Sequence, residues 1–193
     1  MLDVLAAEAE RRGLSRIALV NGDIAVTSDA IASATAAVHP ALALARTDIG
    51  DGGPPALLRH GIDMVVFDAA FWRRERRRFR GYPLGEPVWD NVYAAIIACH
   101  GGAIVNREGL LLHPRHPSAF GGSPYARYVQ LLAARDSSYF SLWCEYVARA
   151  PERLTDQADG ELQRAIFRAP GVAAEALDVA RATWWRARQV FGA

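Results

Sequence analysis

The stretch GIDMVVFDAAFW, residues 61–72, constrains the fold of this chain more than any other. Ile62 to Asp68 is a short apolar run rich in β-branched and aromatic residues, which reads as a buried strand. Helical spacing then takes over in AAFWRRERRRF, 69–79, with Phe71, Trp72, Glu75 and Phe79 recurring on one side. A strand that feeds directly into a helix is the unit of layered α/β architecture. The same alternation precedes it. Residues 2–13 read as a helix with Leu2, Leu5, Ala6 and Ala9 on one face and Gly13 as its stop. RIALV, 16–20, is a strand, and a helix capped by Ser28 or Asp29 runs to about Val38, ahead of Pro40. ALALAR, 41–46, is a second strand, and TDIGDGGPP, 47–55, is a loop by its glycines and prolines.

After the central strand come a turn-rich loop at 80–88, a mostly buried helix at 89–100, and short strands at 103–106 and 110–113 joined around Gly109. Beyond about residue 115 the pattern becomes helical. Ser123-Pro124 marks a helix start, with Tyr125, Tyr128, Val129 and Leu132 as its stripe. A further helix opens near Asp136 and carries Tyr139, Phe140, Trp143, Tyr146 and Val147, and a last one spans about 171–191. The expected organisation is an α/β core over 1–120 with a helical section, 121–193, packed on it.

Composition narrows the chemistry. No apolar stretch reaches the ~20 residues needed to cross a bilayer, and the amphipathic, acidic N-terminus lacks the pattern of a secretory signal. Cys99 and Cys144 are the only cysteines, which points to a reducing, cytoplasmic setting without a disulfide framework. All 22 basic side chains other than histidine are arginine. The absence of lysine excludes a Walker A phosphate loop and Schiff-base chemistry. A formal net charge of +1 gives no global field for nucleic acid.

Three stretches could carry chemistry. VNGDI places Asn21 and Asp23 just past a buried strand, on the edge where α/β proteins bind ligands. There Asp23 either ligates a divalent cation or closes an Asx-type turn. GEPVWDN puts Asp90 in a first helical turn, with Glu86 upstream and Trp89 beside it as part of a cleft wall or of the core. The helix dipole favours an ionised carboxylate at that position, acting as a cap or as a base. LLLHPRHP carries His113 and His116 out of a strand into a proline-bracketed loop, where they either complete a metal site or face solvent. The arginine run 73–80 reads as a solvated amphipathic face, with phosphate contact as the alternative.

The order of VNGDI, ALALARTDI, GIDMVVFDAAFW, GEPVWDN and HPRHP resembles the later half of GT-A-type glycosyltransferases, the nucleotide-diphospho-sugar transferase fold, in particular bacterial members. The resemblance covers residues 2–117 and rests on order and spacing rather than on any one motif. It implies a partial GT-A-like, Rossmann-related mixed sheet flanked by helices. It implies a metal, manganese or magnesium, held by Asp23 with His113 or His116. It further implies donor diphosphate at Asn21 and Asp23, acceptor contacts at Glu86 and Trp89, and Asp90 as the general base. Two departures accompany it: one acid stands where the family has an Asp-any-Asp pair, and the family's earlier nucleotide-binding strands have no counterpart before VNGDI. The resemblance thus implies transfer of a sugar from a nucleotide-sugar to a glycan or small-molecule acceptor. The alternative is a non-catalytic binding or assembly module, completed by a second copy or by a separate N-terminal half.

Overall fold

The computed structural model describes residues 1–50, 52–85, 88–116, 138–151 and 154–168. Glu86, the helix start at Ser123 and the expected helix at 171–191 lie outside the described residues. The strands are β1 (Arg16–Val20), β2 (Ala25–Val26), β3 (Ala41–Ile49), β4 (Ala56–Asp68), β5 (Ala103–Val105) and β6 (Leu111–Pro114). The helices are α1 (Leu2–Arg11), α2 (Ser28–Ala36), α3 (Ala69–Glu75), α4 (Trp89–Cys99), α5 (Ser138–Arg149) and α6 (Asp156–Phe167).

The molecule is α/β, with one mixed sheet ordered β1-β4-β3-β6-β2 and β5 added to β3. β1, β4 and β3 pair antiparallel, whereas β5 and β6 run parallel to β3 along Leu42–Leu44 and Thr47–Ile49. β3 is therefore paired on both sides, which explains its continuous apolar character. Along β3, Ala41, Ala43 and Ala45 join one core cluster and Leu42 and Leu44 the other, as the two-residue period of a strand dictates. The alanines face the layer that holds α4, whose residues Asn91–Ala98 are all buried. Small side chains let this helix sit close to the sheet. At the end of α4, a Cβ on Gly102 would lie 2.6 Å from the carbonyl oxygen of Ala41, so only glycine fits there.

The first core is aromatic. Phe67, Phe71, Trp72 and Phe79 stack among themselves, and Phe79 meets Tyr93 edge-on with centroids 4.7 Å apart. The second core is smaller, with only α2 contributing helical residues through Ala30 and Ala34. The free edge of β5 is closed by a side chain. The Gln163 amide donates to Ile104 O at 2.9 Å and accepts from Ile104 N at 3.0 Å, as a neighbouring strand would.

Several boundaries differ from the sequence pattern. β3 continues to Ile49 because β6 pairs with Thr47–Ile49, so Asp48 stands in a strand rather than a loop. β4 begins at Ala56, six residues early, where it pairs with the end of β3; the register shifts around Arg59–Gly61 and at Asp63 form bulges. β5 and β6 both pair with β3 and not with each other. α2 is capped by Thr27, whose Oγ1 accepts from Ala30 N, rather than by Ser28 or Asp29. α3 stops at Glu75 and continues as turns, with Arg78 N donating to Glu75 O. α6 lies where the periodicity announced nothing, since Gly160 interrupts its helix-forming residues. Among the described residues no helix is long and apolar enough to cross a membrane.

Candidate functional site

The site grows from the ends of three strands. After β1, Asn21 N donates to Asp63 O at 3.0 Å and Ile24 N donates back to Asn21 O at 3.3 Å. Asn-Gly-Asp-Ile thereby closes a tight turn that presents Asp23, which is half exposed. β6 runs parallel to β3 with His113 in register with Asp48. His116 follows two residues past the end of β6. Arg115 between them is anchored: its N–H donates to Ile49 O at 2.9 Å, and its guanidinium donates to Gly50 O and Pro54 O at 3.1 and 3.2 Å. This latch ties the β3–β4 connection to the histidine loop.

The result is a compact triangle. Asp23 Oδ2 lies 3.1 Å from His116 Nε2 and 3.4 Å from His113 Nε2, and the two Nε2 atoms are 3.1 Å apart. Burial pushes the Asp23 carboxyl up, but the hydrogen bond to His116, a backbone hydrogen bond and the neighbouring His113 outweigh it and hold the group below the ordinary carboxylate range. His113 is buried and His116 half exposed, so the triangle opens to solvent on one side. Three donors held by one ion at ~2.1 Å, at angles between octahedral and tetrahedral, stand about 3.0–3.4 Å apart. The observed spacings match that range, so these three side chains could hold a cation without rearrangement.

Behind the triangle runs a polar network. His113 Nδ1 is 3.0 Å from Asp48 Oδ1, which also accepts from Arg46 Nε at 2.8 Å. Arg46 Nη1 donates to Asp63 Oδ2 at 3.0 Å, and Asn21 Nδ2 donates to Asp63 Oδ1. Asp63 is only 5% exposed, and this double satisfaction is what makes a charge tolerable there. Asn21 thus engages the protein rather than facing outward.

Asp90 sits in the first turn of α4, partly buried, within the field of Asp63 and Arg46. Burial is the main cause that raises its carboxyl, and Asp63 adds to it, to about 7 in spite of opposing backbone N–H groups and Arg46. The anion expected from the helix dipole is therefore only half formed at neutral pH. Desolvation outweighs the dipole in this position. Val88, the residue before α4, has φ +59, a conformation rare for a β-branched side chain. It fixes the entry of the helix that carries Asp90. Trp89 is half buried and meets Tyr93 edge-on at 5.1 Å, with its ring packed against the core. Asn91 Nδ2 donates to His60 O at 2.8 Å, pinning this helix start to the β4 bulge.

Sequence reasoning passed over Arg46, Asp48 and Asp63. The signal was present: Arg-Thr-Asp places two opposite charges on one face of a strand, and Asp63 is a lone charge in an apolar one. The arginine run, in contrast, is largely absorbed by acids. Arg73 pairs with Glu10, Arg76 with Asp3 at 3.3 Å, and Arg74 and Arg78 with Glu75 at 2.6 Å. A cavity of about 340 Å³ lined by Ser33, Leu42, Asn106, Arg107 and Gln163 shares no residue with the triangle. Neither family models nor curated proteins nor solved structures match the chain.

Proposed function

We propose that the protein transfers a glycosyl group from a nucleotide-sugar donor to a hydroxyl acceptor, as a partial GT-A-like transferase. One observation carries this reading: Asp23, His113 and His116, far apart in sequence, converge into a cation-sized triangle whose polar network reaches toward Asp90. In this reading Asp23, His113 and His116 would hold a divalent cation, which would supply charge neutralisation for the leaving diphosphate. Asn21 and the Asp23 turn shape the donor side, and Trp89 walls the acceptor side. Asp90 accepts the acceptor's hydroxyl proton as that oxygen bonds to the anomeric carbon and the donor's carbon–oxygen bond breaks. A carboxylate at about 7 suits a base working near neutral pH.

A second reading, a non-catalytic binding module, draws support from the single carboxylate at Asp23 and from the half-exposed His116. Calorimetry with manganese and a panel of nucleotide-sugars, paired with product detection, separates the two. Transfer by the wild type that falls roughly a hundredfold in Asp90→Asn, with donor binding retained, supports catalysis. Binding without product favours the module. Neither binding nor product from folded protein would sink the transferase reading for this chain.

A further inference from the structure

We infer that Asp48, braced by Arg46, is a positioning residue that makes the Asp23–His113–His116 triangle a site for a divalent transition ion, in preference to magnesium or calcium. The inference rests on the cation-holding part of the proposed function and not on sugar transfer itself.

The geometry leads there in three steps. First, the donor set is two imidazole nitrogens and one carboxylate oxygen. Magnesium and calcium take oxygen ligands, and manganese leans the same way, whereas imidazole suits zinc, copper, iron and nickel. Second, the Asp48 carboxylate stands 3.0 Å from His113 Nδ1, and a carboxylate only accepts. The proton is thus placed on Nδ1, and the lone pair of His113 is left on Nε2, pointing into the triangle. Ligating histidines are oriented in this way by an outer carboxylate. Third, Asp48 is itself fixed. Arg46 donates to the same Oδ1 at 2.8 Å and is held from behind by Asp63 at 3.0 Å. With its lone pair aimed inward, His113 Nε2 meets His116 Nε2 at 3.1 Å and Asp23 Oδ2 at 3.4 Å. In the metal-free triangle a proton on His116 Nε2 can bridge these atoms; with that proton displaced, three lone pairs face one centre. A single ion satisfies all three at once, and three protein donors leave coordination positions free for oxygens of a bound ligand.

The test is calorimetric and optical, on the full chain without substrate. Cobalt is the probe, because its visible absorption reports ligation directly; zinc, manganese and magnesium are compared by calorimetry. The wild type is expected to bind one cobalt ion with an absorption band, manganese more weakly, and magnesium at least about a hundredfold more weakly than cobalt. His113→Ala and His116→Ala should each lose the band. Asp48→Ala should weaken cobalt binding by roughly 10- to 100-fold. If that variant fails to fold, Asp48→Asn, which keeps an acceptor oxygen for Nδ1–H, should weaken it by less while the metal-free melting temperature stays near that of the wild type. Equal affinity for magnesium and cobalt overturns the inference. So does unchanged cobalt affinity in folded Asp48→Ala and Asp48→Asn, a band that survives loss of both histidines, or no ion bound by folded wild type. Product formation without added metal would leave sugar transfer standing after such a failure, so the two outcomes can be told apart.

Discussion

Two polar clusters in this molecule look alike in composition and differ in how their atoms are used. At the junction of α3, α4 and α5, Glu75 is 6% exposed and takes Arg74 Nε on one oxygen and Arg78 Nε on the other, each at 2.6 Å. His100 stands 3.8 Å from the same carboxylate and 2.8 Å from the Tyr139 hydroxyl. Burial raises the Glu75 carboxyl, but the guanidinium hydrogen bonds of Arg78 and Arg74 outweigh it and hold the group below its ordinary range. Every acceptor there has a donor. At the strand ends, two imidazole nitrogens and a carboxylate oxygen instead converge on one another within 3.1–3.4 Å. The first cluster fastens three helices. Behind the second lies a matched set, the Arg46 guanidinium donating to Asp48 and to Asp63.

Removing one member from each cluster should expose this difference most sharply. Glu75→Ala leaves the half-buried Arg78 facing an empty carboxylate site, and breaking a buried pair in this way costs about 3–5 kcal/mol. His116→Ala, at a half-exposed position, should change stability by roughly 0.5 kcal/mol or less. Urea unfolding midpoints measure both. The pH dependence follows from the sign of the Glu75 shift. A carboxylate depressed on folding contributes stability that is complete above the unfolded value and is lost as pH falls through the folded one. The gap between wild type and Glu75→Ala should thus narrow in acid. Equal costs for the two variants at neutral pH would erase the distinction.

Ligand linkage should come next in size. A cation at one hundred times its dissociation constant stabilises the folded chain by about 2.7 kcal/mol. Thermal unfolding with cobalt should show an upward shift in the wild type and none in His113→Ala. Glu75 variants that remain folded should keep the shift, because their cluster shares no residue with the triangle.

Asp90 is a third case, a carboxylate held where it would rather be neutral. Its folded value, about 7, lies above the unfolded one, so the folded state binds the extra proton between them. Stability contributed by that proton is present below pH ~4 and is lost as pH rises toward about 7. Asp90→Asn removes the cost of the buried anion. At pH 8 it should stabilise the fold by roughly 1–3 kcal/mol, allowing for partial solvent access, while at pH 4 the difference should vanish. Stabilisation by a change that also lowers the proposed transfer would be the signature of a group kept for function. A variant that is less stable at pH 8 would place Asp90 with Glu75, among the fasteners.

Much of this was legible in the chain. Most strands and helices up to Pro114 follow the periodicity where local pattern and layer agree, as in Ile62–Phe67, where an apolar run becomes the buried half of β4. That Asp23 follows a strand, that His113 lies in a strand and that His116 lies just beyond it were readable for the same reason. That Asp48 belongs with them was not, because its place beside His113 comes from the parallel pairing with β6, made 65 residues later in the chain. The state of Asp90 was misread from local chemistry. A first-turn position speaks for an anion, whereas the burial that overrides it is set by β4 and by Asp63. Local signals found the side chains, and tertiary contacts set their protonation and aim.

The smallest expected effect is also the most discriminating. Asp23 is half exposed and its carboxyl is held low by His116 and His113 against the opposing pull of burial. A depressed carboxylate adds stability above the unfolded value and loses it in acid, but an exposed pair of this kind is worth only about 0–1 kcal/mol. Even a neutral His116 can carry its proton on Nε2 and donate it to Asp23, so the gain does not require a charged ring. Asp23→Asn in metal-free protein should therefore cost no more than about 1 kcal/mol at pH 5.5 and at pH 8 alike. With cobalt present at pH 8 the same substitution should become costly, because it removes one of three ligands. Urea unfolding at the two pH values, with and without the ion, supplies the four numbers. A loss above about 2 kcal/mol in metal-free protein at pH 8 would make the triangle a fastener after all. A cost that appears only when the ion is added places the energy of this cluster in what it binds.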